Sequence, residues 1–293
     1  MSALPVLEGR VVVVTGATSG IGRHTFLALA ETGATMVAVA RDEKKARVLM
    51  EEASAGSGSS HHFVLGDFLD QSQVRGAAAE VLAQHDRIDL LVNNAGALFS
   101  DHQHTVDGYE RTWALNHLAY FLFTDLLLDA VKRGAPSRIV NVASRAHERG
   151  RMHWDDLQLD QVPARGGWAA YGQSKLANIL FTRALARRLD GSGVMTCAVH
   201  PGWVNTGFGM NNGWGLRTLL RMTRPLQRTT GHGAETVLWA STCADVEPLH
   251  GRYLADLRVT DPSAEAQSDD AAERLWTISE DMVGARRSTD PES

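Results

Sequence analysis

A single-domain, doubly wound parallel α/β sheet with helices on both faces is the fold class that this 293-residue sequence predicts. Three observations predict it. Short β-branched or apolar runs alternate with longer helical patterns, as expected of strands buried on both faces. A glycine-rich turn directly follows the first of those runs. Small, amide and hydroxyl residues stand just after later runs, where open α/β sheets place their ligand crevice.

The elements follow in order. Arg10–Val14 reads as a first strand, Thr15–Gly22 as the glycine-rich turn and Arg23–Thr32 as a helix. Glycines let a backbone approach a pyrophosphate, and a helix N-terminus adds N–H donors and partial positive charge. Gly16, Thr18, Ser19, Gly20, Ile21 and Gly22 are therefore candidate cofactor-binding residues, with spacing G-x-x-x-G-x-G rather than G-x-G-x-x-G. Thr35–Ala40 is a second strand, ending at Arg41, 19 positions after Gly22. A guanidinium there suits a ribose 2′-phosphate and predicts NADP(H) over NAD(H), with Arg23 adding charge at the helix start. Asp42 competes, because a strand ending one position later would bring its carboxylate to a free ribose hydroxyl.

Ala53–Ser60 reads as a flexible loop before a third strand, Phe63–Leu65. Asp67 can hydrogen-bond an adenine amine with Phe68 behind it, and it equally suits a helix N-cap. A fourth strand, Ile88–Val92, runs into Asn93-Asn94-Ala95-Gly96, which makes Asn93, Ala95 and Gly96 candidates for the crevice. Arg111–Val131 is helical and carries Asn116, a poor helix former, read as a support residue or a core amide. A fifth strand, Ile139–Ala143, delivers Ser144, whose hydroxyl can hydrogen-bond a carbonyl oxygen.

Ala169–Leu189 reads helical and places Tyr171 and Lys175 four residues apart on one face. A free phenol has a pKa of about 10. A fixed cation nearby favours the phenolate and is expected to lower that value, which makes the pair a proton donor and acceptor for alcohol/carbonyl interconversion. Thr196–Val199 is a sixth strand, followed by His200–Thr206.

The motifs TGATSGIG (Thr15–Gly22), NNAG (Asn93–Gly96), LNHLAYF around Asn116, VNVAS ending at Ser144, YGQSK (Tyr171–Lys175) and HPGWVNT (His200–Thr206) occur in that order. In this the chain resembles the short-chain dehydrogenase/reductase superfamily, from about Leu7 to the Trp276 region. AVARD, SRAH, WDDL (Trp154–Leu157), YGQSKLANILF and GRYLAD (Gly251–Asp256) are similar to the retinol dehydrogenase-like branch, with its WW-domain oxidoreductases and protochlorophyllide reductases. The resemblance implies a Rossmann fold and a tetrad of Asn116, Ser144, Tyr171 and Lys175. In it Tyr171 is the general acid/base and Ser144 positions the carbonyl. Lys175 holds the nicotinamide ribose, and Asn116 supports a proton-relaying water. It also implies cofactor contacts from Tyr171 and Lys175 and from Pro201, Gly202, Val204 and Thr206. Leu176-Ala177-Asn178 stands where protochlorophyllide reductases carry a cysteine soon after the motif lysine, which argues against a light-driven reaction. The WW modules and the hydrophobic N-terminal anchor usual in membrane retinol dehydrogenases are not expected here.

Length suits one domain: a core of about 7–256, a substrate lid of about 207–230 and a tail of about 257–293. A hydrophobic content of 44% is that of a globular protein, and a net charge of -5 gives no reason to expect nucleic acid. Cys197 and Cys243 make no disulfide framework, and Cys197 reads as a small buried hydrophobe. No apolar run approaching 18 residues and no signal peptide is read, so a reducing cytoplasm is the expected compartment. Asp261–Asp270 reads as an acidic surface loop, Ala271–Val283 as a short helix docking Leu275 and Trp276, and Arg286–Ser293 as frayed.

Within the lid, Phe208, Met210 and Trp214 are apolar, and Arg217, Arg221, Arg224 and Arg228 recur at helical spacing until Pro225 interrupts. A lid over a lipophilic substrate is favoured over a plain solvated basic face, and a membrane-surface helix is the third reading. Trp168, Trp203 and Phe208 are the candidate substrate-pocket residues. His61-His62 and His102/His104 near Asp101 lack ligand spacing with suitable partners, so no metal is expected. His147 and His153 either line the pocket or lie on the surface, the second being favoured.

The expected protein is an NADP(H)-dependent oxidoreductase acting on a small hydrophobic alcohol, aldehyde or ketone. Homodimers or tetramers are common in the superfamily, and the helices Trp113–Val131 and Ala169–Leu189 offer candidate faces. A dinucleotide-binding sensor without turnover, or a natural-product ketoreductase acting on a carrier-tethered chain, are the alternatives.

Overall fold

The computed structural model describes residues 4–56, 59–162, 167–202 and 230–285. Among the described residues eight strands form one sheet: β1 (Val11–Thr15), β2 (Thr35–Ala40), β3 (His61–Leu65), β4 (Leu90–Asn93), β5 (Ser137–Val142), β6 (Val194–His200), β7 (Tyr253–Ala255) and β8 (Arg258–Val259). Their order is β3-β2-β1-β4-β5-β6-β7-β8. All neighbours are parallel except β7 and β8, which pair antiparallel. The order reverses between β1 and β4. A ligand crevice is expected outside the carboxyl ends of strands at such a switch point.

Seven helices cover the sheet among the described residues: α1 (Gly20–Ala30), α2 (Glu43–Gly56), α3 (Gln71–Gln84), α4 (Arg111–Arg133), α5 (Trp168–Leu189), α6 (Thr230–Thr242) and α7 (Asp269–Val283). Strand residues alternate between two cores, as the period of two requires. Val12 and Val14 of β1 pack with Phe26, Leu29, Ala234 and Val237 on one face. Val13 packs with Leu118, Leu122, Leu176 and Leu180 on the other. This two-sided burial is why the strands read as continuous apolar runs.

Several boundaries differ from the sequence reading. Helix α1 begins at Gly20 rather than Arg23, so two glycines lie in its first turn despite their poor propensity. Ala53–Gly56, read as loop, is the last turn of α2. Asp67 does not cap α3. Asp70 does, accepting from the Ser72 amide at 2.9 Å, while the Asp67 carboxylate accepts from the Leu69 amide at 3.1 Å. The sheet continues past Asp256 into β8 through a tight turn in which Asp256 and Leu257 both take positive φ, the twist that a short hairpin needs.

Helix α4 is long and apolar enough to cross a membrane by length and mean composition, although Asn116, His117, Thr124, Asp125 and Asp129 interrupt its apolar residues. Here it lies against the sheet with Leu118, Phe121, Leu122, Phe123 and Leu127 in the core. Helix α7 docks as expected, with Leu275 and Trp276 buried. Arg187 and Arg188 of α5 fork onto Glu273 at 2.6 Å, and Arg183 and Arg187 reach Asp269 at 2.7 Å.

Candidate active site

The glycine turn is shaped by what presses on it. Gly16 has a φ of +65°, and a Cβ there would lie 2.8 Å from the Ala95 Cα. A Cβ on Gly22 would meet the Asn94 Nδ2 at 2.3 Å and the Gly16 carbonyl oxygen at 2.4 Å. Only glycine permits this approach of two backbones. Asn94 locks the turn, donating to the Thr15 carbonyl at 2.9 Å and the Gly16 carbonyl at 3.3 Å. The Thr15 hydroxyl accepts from the Asn94 and Ala95 amides. Ser19 caps α1 in extended conformation without a side-chain capping bond, and the first turn of α1 carries no acid. Thr18, Ser19, Gly20 and Ile21 thus present a helix N-terminus whose N–H groups can take a pyrophosphate.

Arg41 stands exposed just beyond β2. Asp42, its rival, is engaged in α2: its Oδ1 accepts from the Lys45 amide at 3.1 Å, and this bond holds its carboxyl below the usual range. Arg23 does not stand free at the start of α1, because it pairs with Glu52 of α2. Asp67 lies half-buried after β3. Behind it the Phe68 ring is buried against Phe123 at 5.1 Å.

Asn93 also departs from expectation. Its side chain turns to the α4/α5 face and donates to the Thr124 hydroxyl at 2.9 Å and the Asn141 Oδ1 at 2.8 Å. Asn141 in turn donates to Thr182 at 3.0 Å. This buried amide chain stitches β4 to β5 and both to the helices above. Strand parity could have shown it, since Asn93 shares a face with Leu91, and the crevice contact falls to Asn94.

The chemical centre is assembled from three elements. In α4 the residues Ala114–Leu118 form a π-helical turn. Asn116 within it clasps the loop after β4, accepting from the Ala97 amide and donating to the Ala97 carbonyl, each at 2.9 Å. It also donates to Ser174 at 3.0 Å, while its own carbonyl accepts from Asn178 at 2.9 Å. Gly96 fits because a Cβ would crowd the Asn116 Oδ1 at 3.0 Å and stand 3.6 Å from the Lys175 Nζ.

Helix α5 contributes Tyr171 and Lys175, both buried. The Lys175 ammonium donates to the Val142 carbonyl at the end of β5, 2.9 Å away, and lies 5.7 Å from the centre of the Tyr171 ring. Two residues beyond Val142, the Ser144 hydroxyl hydrogen-bonds Tyr171 and accepts from the Ala146 amide at 3.1 Å. Burial pushes the Tyr171 phenol up to about 12, opposed by the Ser144 hydrogen bond, and pushes the Lys175 ammonium down to about 7. Burial thus acts on both members of the pair, raising the phenol and weakening the cation that was expected to lower it.

His147 is not a surface residue. It is fully buried; its Nδ1 lies 2.6 Å from the Ser144 carbonyl, and its Nε2 accepts from the Ser263 amide at 3.1 Å. Those partners fix one neutral tautomer, with Nδ1–H donating to Ser144. The loop carrying Ser144 is thereby tied to the segment after β8.

The Trp168 ring, 45% exposed, meets the Tyr171 ring edge-on at 6.1 Å. A cleft beside it is walled by Phe99, His102, Leu159, Val162, Gly167 and Ala170. Pro201 and Gly202 follow β6, Gly202 with a φ of +87°. Trp203, Val204, Thr206, Phe208, the segment of about 207–230 read as a lid and the segment Arg286–Ser293 read as frayed lie outside the described residues, apart from Thr230, where α6 starts. Thr15, Asn94, Ser174 and Asn178 are site residues that the sequence reading missed, and His147 is one that it favoured as a surface residue. All five stood within quoted motifs, but a motif does not say which way a side chain points.

Residues 10–156 match the short chain dehydrogenase family. The chain is 41% identical over 281 residues to retinol dehydrogenase 12 of Bos taurus, covering 96% of this chain and 88% of that protein. It is 40% identical over 279 residues to retinol dehydrogenase 11 of Homo sapiens, covering 95% and 87%. Among solved structures, an uncharacterized protein from Mycobacterium Paratuberculosis superposes with a TM-score of 0.79 at 32% identity, covering 96% of each chain. A short chain dehydrogenase from Burkholderia cenocepacia J2315 in complex with NADP superposes with a TM-score of 0.68 at 25% identity, covering 89% of this chain and 99% of that one.

Proposed function

From the premise that the chain belongs to the short chain dehydrogenase family, as an oxidoreductase related to the retinol dehydrogenases with a nicotinamide dinucleotide cofactor, we propose that it is specific for NADP(H) and interconverts a hydrophobic alcohol with its aldehyde or ketone, Tyr171 acting as general acid/base. The observation that carries this reading is the buried cluster at the switch point. Lys175 is held by the Val142 carbonyl, 5.7 Å from the Tyr171 ring centre, with Ser144 on the phenol.

The bound cofactor would exchange hydride with the carbonyl carbon. Tyr171 exchanges the matching proton at the substrate oxygen, and the Ser144 hydroxyl donates a second hydrogen bond to that oxygen as charge develops. A phenol held near 12 is protonated at neutral pH, so Tyr171 holds the proton that a carbonyl oxygen would take up on reduction. Lys175 orients the nicotinamide ribose, and Asn116 holds the loop after β4 against that site. Arg41, exposed just beyond β2, would grip the 2′-phosphate, and the engagement of Asp42 with the first turn of α2 supports that reading. Trp168 and the cleft beside Phe99 and Leu159 favour an apolar substrate.

An NADPH-oxidation screen over aldehydes and ketones graded by chain length, repeated with NADH, tests the reading. Turnover that rises with apolar chain length and prefers NADPH is expected. Preference for NADH, or turnover confined to short polar carbonyls, would contradict it.

A further inference from the structure

The His102/His104 pair gains in the fold the acid that it lacks along the sequence. His102 and His104 project from the extended segment after β4, and Asp160 arrives from the loop before α5. The Asp160 Oδ1 stands 3.2 Å from the His104 Nε2 and 3.6 Å from the His102 Nε2, and one donor atom from each residue lies within 4.8 Å of the others. Bonds of about 2.0–2.2 Å to a tetrahedral Zn²⁺ separate neighbouring donors by about 3.3–3.5 Å, so both distances bracket what such an ion requires. The set is two imidazoles and one carboxylate, the donor chemistry of a borderline divalent cation rather than of Mg²⁺ or Ca²⁺.

Both segments are held in place. The residue before Asp160 is Leu159, a buried leucine at a φ of +57°, a conformation that L side chains avoid. Asp156 fixes that turn by accepting from the amides of Asp160 and Gln161, each at 2.9 Å. His104 pairs in a short antiparallel bridge with Glu110, whose amide donates to the Gln158 side chain at 2.6 Å. The Gln158 carbonyl lies 2.8 Å from the His102 Nε2. It can become a fourth ligand, the second through oxygen, once that nitrogen gives up its proton.

We propose that His102, His104 and Asp160 form a binding site for a borderline divalent cation of the Zn²⁺ type on the wall of the cleft. The ion would join the segment carrying Phe99 to the turn carrying Leu159, both of which face that cleft. It would set the width of that cleft without touching the reacting atoms.

The test is calorimetric titration of the full chain, stripped with chelator, with Zn²⁺ and separately with Mg²⁺, alongside the visible absorption of added Co²⁺. A single Zn²⁺ per chain, no Mg²⁺ heat and a tetrahedral Co²⁺ spectrum are expected. His104→Asn and Asp160→Asn, both at exposed positions, should each weaken Zn²⁺ binding by about tenfold or more while leaving the far-ultraviolet circular dichroism unchanged. His85→Gln, which breaks the His62–His85 contact, and Cys243→Ser should bind Zn²⁺ as the parent does. Absence of Zn²⁺ binding, parent-like affinity in both His104→Asn and Asp160→Asn, or loss of the ion in either control would overturn the proposal.

Discussion

Lys175 and Tyr171 bear opposite consequences of one burial. The folded protein holds the lysine near 7, below its unfolded value of 10.5, so it binds protons less readily than the unfolded chain does. Stability attributable to this group therefore rises with pH from about 7 to about 10.5 and is diminished at neutral pH. Lys175→Met removes that burden and should stabilise the cofactor-free protein by about 1–3 kcal/mol at pH 7, after allowance for the lost bond to Val142. The gain should vanish towards pH 10.5 while turnover is lost. Thermal unfolding across that range checks this, and a variant less stable than the parent at pH 7 would contradict it. Arg41→Ala should erase about 1–3 kcal/mol of the preference for NADPH over NADH, read from the two Kd values, because a charge-assisted contact to the 2′-phosphate is lost. An unchanged preference would assign the phosphate to another residue. At this scale the sequence was informative about identity and weak on direction. Tyr171, Lys175, Ser144 and Asn116 converge as their motifs implied. Asn93 turns into the core instead, because strand parity and packing, not motif membership, decide where a side chain points.

At the scale of elements, α4 and α7 meet through His117. Its ring is buried 4.6 Å from Trp113, and its Nε2 lies 2.9 Å from the Ser279 hydroxyl. Burial holds it down to about 3, so it is neutral in the folded protein well below the pH at which it would charge in the unfolded chain. The folded pKa is the lower of the two, so this contribution is complete above about 6.5 and is lost as pH falls from there towards about 3. Between pH 6.5 and pH 4 the parent should lose about 2–3 kcal/mol more stability than His117→Phe in denaturant titrations. Equal losses would assign the acid sensitivity elsewhere. Strands β1, β2 and β4 to β6 were legible from their apolar runs, because strands covered on both faces are largely apolar, whereas the edge strand β3 opens with His61 and His62 and buries only Val64 fully. The glycines of α1 hid its first turn, since their low propensity is overridden by the close approach of Gly16 and Gly22. Helix α7 was legible from its apolar pair, but its ion pairs to α5 join residues more than eighty positions apart, which no local pattern reports.

For the molecule as a whole, the reversal of strand order between β1 and β4 brings the glycine turn, the loop after β4 and the end of β5 to one edge of the sheet. Helix α5 lays its catalytic candidates across that edge. The resemblance carried by ordered motifs was enough to anticipate this arrangement. The meeting of His102, His104 and Asp160, and of His147 with Ser263, depended on loop paths that the sequence does not specify. The central claim is that this assembly moves a proton through Tyr171 when a carbonyl is reduced. It is tested most directly by comparing NADPH oxidation by the full chain and by Tyr171→Phe, with a long-chain aldehyde as substrate and NADPH affinity measured in parallel. The account predicts a fall of about 10²–10⁴-fold in kcat with NADPH binding retained. Turnover undiminished in Tyr171→Phe would contradict it.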